Sequence, residues 1–225
     1  ATTPLCAQVL NLLKNGTEVG NLSSGHMYGQ HMQARYDQAT DYILNSLGAQ
    51  HYEYFSCGSA TEASNWTFYS LLNQVTGCPR VVVSAIEHPC VMEPLKRYAK
   101  EGKIDLKVCS VDKNGRVRLE ELETLVTENT ILVSVILAHN EVGVIQPMAD
   151  IAQLTHAVGA KLMSDCVQAV GKMPVNLEAL GIDIAIVSAH KCYAPTGCGA
   201  LIIKDSNALQ PWILGGTQQQ KLRGG

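Results

Sequence analysis

Seven short apolar runs, separated by stretches of helical pattern, constrain this chain more than any other feature. They lie at 52–56, 80–84, 104–110, 131–137, 161–164, 184–187 and 200–203. Most read as continuously apolar rather than alternating, which is the pattern of strands buried on both faces. The helical patterns lie at 31–47, 61–75, 89–100, 119–126 and 148–158. Strands and helices in alternation predict an α/β fold, a three-layer α/β/α arrangement around a mostly parallel central sheet. In such sheets ligands bind beyond the carboxyl ends of the strands. The polar clusters that matter here should therefore sit at those ends.

Composition sets limits on function. The net charge is -3 in 225 residues, which gives no reason to expect nucleic acid or an anionic membrane surface as partner. No apolar run is long enough to span a bilayer. The eight cysteines include no C-x-x-C pair, which argues against a structural zinc site and a disulfide scaffold. No metal is expected. Most of the cysteines lie in apolar segments and are expected to be buried, reduced thiols.

The strand at 184–187 runs straight into Ser188-Ala189-His190-Lys191, and a Pro/Gly-rich turn follows. A lysine at the end of a core strand is poorly placed as a surface charge. It is well placed as a desolvated amine of the kind that forms Schiff bases. Ser56 to Asn65 joins a strand to a helix through Gly58 and Ser59, so free N–H groups there form an anion site or a simple capping box from Ser59 to Glu62. Asp165 follows another strand, with Gln168 three residues on. It reads as a helix cap or as the partner of a cationic ring nitrogen. Asn140 and Gly143 end the strand before them, and His88 stands between a strand and a helix. Each is open to a structural reading as well as to a site role. Gly20 to His26 is a polar loop.

Together these residues resemble the cysteine desulfurases of the NifS/IscS type, within the class V aminotransferase superfamily of fold-type I pyridoxal phosphate (PLP) enzymes. Gly20 to His26 resembles that family's G-N-P-S-S-x-H loop, and Cys57 to Asn65 its S-G-A-T-E-S-x-N motif. Glu87-His88 resembles its E-H pair and Asn140 to Gly143 its N-E-x-G. Asp165 to Lys172 resembles its D-x-x-Q-x-x-G-K, and Ser188 to Gly199 its S-x-H-K-x-Y-G-P-x-G-x-G. Leu22, Cys57 and Ala194 depart from the pattern without touching the cofactor anchors.

The resemblance implies a PLP-dependent transferase-like large domain over 1–225, with part of the N-terminal segment at 1–25. Both ends read as truncated, and the C-terminal small domain, with the substrate-binding arginine and the persulfide cysteine, is expected to be absent. By the same resemblance Lys191 would hold PLP covalently and move the substrate Cα proton, with His88 on the ring face. Asp165 would pair with the ring nitrogen, and Gln168 and Asn140 with the phenolic oxygen. Ala60, Thr61, Ser188 and His190 would hold the phosphate. The implied reaction converts L-cysteine to L-alanine with sulfur leaving as a persulfide, in a homodimer that serves sulfur-acceptor or scaffold proteins in the cytoplasm or an organelle matrix. The alternatives are a selenocysteine or cysteine lyase of the same family and a catalytically silent dimerisation module. Cys166 and Cys192, next to Asp165 and Lys191, are expected to face the core and to be inert.

Overall fold

A computed structural model describes residues 2–16 and 19–225. The valines of Arg80–Ser84, with branched side chains suited to a pleated buried surface, form one of seven strands in a single sheet. The strands are β1 (Glu53–Cys57), β2 (Arg80–Ser84), β3 (Asp105–Cys109), β4 (Thr130–Ser134), β5 (Lys161–Asp165), β6 (Ile184–Ser188) and β7 (Gly199–Ile203). Their order is β1-β7-β6-β5-β4-β2-β3. The pairs from β3 through β6 are parallel, whereas β7 runs antiparallel to both β6 and β1. The helices are α1 (Ala7–Asn15), α2 (Met27–Ser46), α3 (Ala60–Leu72), α4 (Pro89–Lys100), α5 (Leu119–Leu125) and α6 (Met148–His156).

Side chains alternate across each strand, so the sheet feeds two cores. Val133, Leu162, Ala185 and Ile202 point into one, beneath α5, α6 and the end of α2. Leu132, Met163, Ile186 and Leu201 point into the other, beneath α3 and α4. This is the three-layer arrangement expected. Among the described residues no helix is long and apolar enough to cross a membrane.

The differences from the sequence reading have local causes. The strand expected at 131–137 ends at Ser134 because the Ile136 N–H goes to the Glu87 side chain at 2.7 Å instead of to a neighbouring strand. Val135 and Leu137 still donate to Met163 and Asp165 of β5. The segment therefore peels from β2 while staying attached to β5. Helix α2 begins four residues before the expected 31, where the His26 ring accepts the Gly29 N–H at 3.2 Å. Histidine is not among the usual caps, so the sequence does not advertise this start. Helix α1 was not expected, and it buries none of its residues.

Candidate active site

The carboxyl ends of the parallel strands and the turn into β7 open onto a cavity of about 340 Å³. This is within the usual range for small-molecule sites. Ala60, Thr61, His88, Asn140, Asp165, Gln168, Ser188, His190 and Lys191 all line it, so every site residue expected from sequence meets in one place. Gly20 to Ser23 of the polar loop line a different hollow of about 680 Å³, with Tyr36, Ser56 and Gln218.

One end of the cavity is formed by the start of α3. Ser59 caps the helix by accepting the Glu62 N–H at 3.1 Å, and Ala60 and Thr61 open its first turn onto the cavity. Glu62 in turn accepts the Gly58 N–H at 2.6 Å, so the cap forms with its return bond one residue earlier than in a strict capping box. Residue 199 must be glycine here. A Cβ on Gly199 would lie 2.7 Å from the Ser59 carbonyl carbon, which is how closely β7 approaches the turn that presents the N–H groups. Arg223 clamps the same turn from outside, with Nε 2.6 Å from Glu62 Oε1. Burial alone would raise the Glu62 carboxyl, but Arg223 and the Gly58 N–H together hold it below its ordinary value.

Asp165 is the last residue of β5 and is only 3% exposed. Its Oδ1 accepts the Val167 N–H at 2.9 Å in a tight turn, which leaves Oδ2 for the cavity. Burial raises its carboxyl. The Val167 N–H, His88 and Lys191 oppose that rise without cancelling it. The same turn carries Gln168, whose carboxamide oxygen is taken by the Lys172 ammonium. The Gln168 –NH₂ is left as the available donor.

His88 caps α4, and its Nδ1 accepts the Cys90 N–H at 3.1 Å. That contact places the proton of the neutral ring on Nε2. Glu87 beside it turns inward. Its Oε1 accepts the Ser84 hydroxyl at 2.6 Å and the Ile136 N–H at 2.7 Å, and Oε2 is buried without a partner. Burial, reinforced by the Asp165 charge, pushes this carboxyl up to about 8 despite those bonds.

Lys191 lies one step past β6, on a single helical turn formed by Ala189–Lys191. It is half-buried. The N-terminal segment straps this turn down. The Thr3 N–H donates to His190 O at 2.9 Å, and the Tyr193 N–H donates to the Thr3 hydroxyl at 2.7 Å. Partial burial and the Lys191 charge hold His190 below its ordinary value. Tyr193 takes the left-handed backbone conformation, with φ 63°. Ala194, where the family pattern has glycine, is not at positive φ, which explains why alanine is accommodated.

Four further residues line the cavity: Ser59, Cys90, Ile136 and Val167. Ser59 was legible only as a cap, and Ile136 was hidden inside an expected strand. Cys90 follows His88 by two residues, which is the one signal that points to it. The cysteines divide more evenly than expected. Cys57, Cys90, Cys109 and Cys166 are buried, Cys6 and Cys192 are half-buried, and Cys78 and Cys198 are exposed, all with free thiols. Burial pushes both Cys90 and Cys166 up to about 12 and also raises Cys192. Cys192 is only partly turned to the core.

The fold and site define a class: a three-layer α/β/α domain whose cofactor-sized cavity gathers a lysine, a buried aspartate and a capped helix start. The chain belongs to the aminotransferase class-V family, whose profile matches residues 1–223. It is 32% identical over 228 residues to cysteine desulfurase IscS of Dictyoglomus turgidum and 35% identical over 227 residues to cysteine desulfurase 2 of Trichormus variabilis. These alignments take in all of this chain but only 58% and 57% of the relatives, so the chain spans somewhat more than half their length. A solved NifS-like protein superposes with a TM-score of 0.93 at 34% identity, covering all of this chain and 63% of its own. A structure described as SspA in complex with cysteine superposes with a TM-score of 0.92 at 27% identity, covering all of this chain and 66% of its own.

Proposed function

We propose that the cavity holds pyridoxal phosphate and that the chain is the cofactor-binding part of a cysteine desulfurase acting on L-cysteine. The observation that carries this reading is the convergence of all nine expected site residues on one cavity. Two features fit the cofactor. The buried Asp165 carboxyl with one oxygen facing the cavity suits a protonated ring nitrogen, and the N–H groups at the start of α3 suit a phosphate dianion.

PLP, when bound, supplies an electron sink for a carbanion at the amino-acid Cα. The chain's own residues do the rest. Ala60, Thr61, Ser188 and His190 would hold the phosphate, and Asp165 would keep the proton on the ring nitrogen. Gln168, its oxygen occupied by Lys172, has its –NH₂ left to donate to the phenolic oxygen, and Asn140 would be the second donor there. Lys191 would anchor the cofactor and take the Cα proton of the substrate. His88 would lie against the ring, and its Nε2 proton makes it a second site for proton movement.

Self-association is part of the proposal. Helix α1 buries nothing and exposes Leu12 (66%) and Leu13 (59%), a surface suited to a second copy. Sulfur-acceptor and scaffold partners belong to the same reading.

The test is addition of L-cysteine to the PLP-loaded chain, with L-serine as the comparison. A change in the cofactor's visible spectrum at lower concentrations of L-cysteine than of L-serine supports the proposal. An equal response, or none to either, overturns the substrate assignment.

A further inference from the structure

His88, Cys90 and Asp165 offer a ring nitrogen, a thiol sulfur and a carboxylate oxygen that all lie within 4.8 Å of one another. The three residues come from two elements, the start of α4 and the end of β5, and all face the same cavity. We propose that, without its organic cofactor, the chain binds one zinc-class divalent cation at His88, Cys90 and Asp165.

The ligand chemistry suits such an ion. A thiolate, a carboxylate and a neutral imidazole carry a summed charge of -2, which balances the ion. Imidazole nitrogen, thiolate sulfur and carboxylate oxygen are each ligand types that zinc takes, and a set of three leaves a fourth position open to water. Metal-ligand bonds of about 2.0–2.3 Å place tetrahedral ligand atoms roughly 3.3–3.8 Å apart, so side-chain shifts on the order of 1 Å close the set. Binding forms one metal–sulfur, one metal–nitrogen and one metal–oxygen bond. Burial and the nearby Asp165 and Glu87 hold the proton on the Cys90 thiol, so the ion must displace it to solvent, and no electron is transferred. The supports of the ligands are already present. Asp165 Oδ1 is held by the Val167 N–H, which leaves Oδ2 for the ion. His88 Nδ1 is a lone-pair nitrogen, held at 3.1 Å by the Cys90 N–H, and ligation through it exchanges that N–H for the ion.

A consequence rests on the proposed function. Asp165 cannot serve a ring nitrogen and a metal ion at once, so PLP and the ion exclude each other. The cation is then an inhibitor of cofactor loading, with affinity set by Cys90.

The experiment titrates Co²⁺ and Zn²⁺ into the full chain freed of PLP. The expected result is one Co²⁺ per chain with thiolate-to-cobalt charge-transfer absorption. Cys90→Ala should abolish that absorption and Cys192→Ala should leave it intact. Asp165→Asn should weaken binding by more than the ~10–100-fold that loss of an outer-shell partner costs. X-ray absorption at the zinc edge of the wild-type chain should show one sulfur among lighter ligands, a reading that does not depend on any variant folding. A spectrum unchanged by Cys90→Ala, or a zinc shell without sulfur, overturns the site. Adding PLP to the zinc-loaded chain should release Zn²⁺ to a chromophoric chelator. Retention of zinc while PLP loads overturns the exclusion. Failure of the metal-free chain to take up PLP counts against the proposed function, and the cobalt and zinc-edge results then judge the metal site alone.

Discussion

The ion pair between Arg223 and Glu62 connects residue 223 to the helix start that faces the cavity, and its removal makes a quantitative test. Arg223 approaches Glu62 through two hydrogen bonds, Nε to Oε1 at 2.6 Å and Nη2 to Oε2 at 3.3 Å, and each side chain is 17% exposed. Hydrogen bonds to charged groups contribute about 1.5–3 kcal/mol, and loss of one partner of a fully buried pair costs about 3–5 kcal/mol. With the partial exposure here, Arg223→Ala should cost about 2–4 kcal/mol. For a chain of this length that lowers Tm by roughly 4–16 °C. The sign of the pH dependence follows from Glu62, whose folded carboxyl is held below its ordinary value. Its contribution is fully present above the unfolded carboxyl value, near ~4.3, and is lost as pH falls through the lower folded value. Urea unfolding of wild type, Arg223→Ala, Glu62→Gln and the double variant, at pH 7 and again near pH 3, makes the measurement. A coupling energy of at least about 1 kcal/mol at pH 7, shrinking on acidification, is expected. Additive single effects, or a coupling that does not change with pH, would refute the reasoning. The pair also offsets the carboxylate charge at the anion site, so Arg223→Ala should weaken binding of inorganic phosphate.

Gly199→Ala places a Cβ against the Ser59 backbone, with no flexible group to yield, and should destabilise by about 1–3 kcal/mol and weaken phosphate binding. Thermal melts and a phosphate titration check this. Glu87→Gln keeps an oxygen for Ser84 and Ile136 and should cost less than about 1 kcal/mol, whereas Glu87→Ala leaves the Ile136 N–H without its acceptor and should cost about 2–4 kcal/mol in urea unfolding. Charged substitution at both Leu12 and Leu13 should shift the chain towards monomer in light scattering, and an unchanged mass would remove α1 from the interface.

Much of the fold was legible because the central strands carry their burial in their composition. Val81 to Val83 and Ile184 to Ile186 are apolar on both faces, which only a covered sheet accommodates. The strand ends then located the site, since Asp165, Ser188 and the Ser59 turn all follow such runs. What was not legible depended on contacts remote in sequence. The end of β4 is set by Glu87, 49 residues away from the Ile136 N–H that it takes. The hold on Lys191's turn comes from Thr3, and the clamp on the anion site from Arg223. Helix α1 was missed although its apolar residues keep helical spacing, and it buries none of them. Cys90 read as one more apolar position, and only the packing of α4 against the end of β5 put its thiol beside Asp165.

The central claim is that this cavity presents Lys191 to a covalently held PLP. The most direct measurement is borohydride reduction of the PLP-treated chain, followed by peptide mapping by mass spectrometry. The account predicts a single phosphopyridoxyl group on Lys191, with the wild-type stoichiometry lost in Lys191→Ala and strongly reduced in Asp165→Ala. Label spread over surface lysines, or unchanged label in Lys191→Ala, would contradict it.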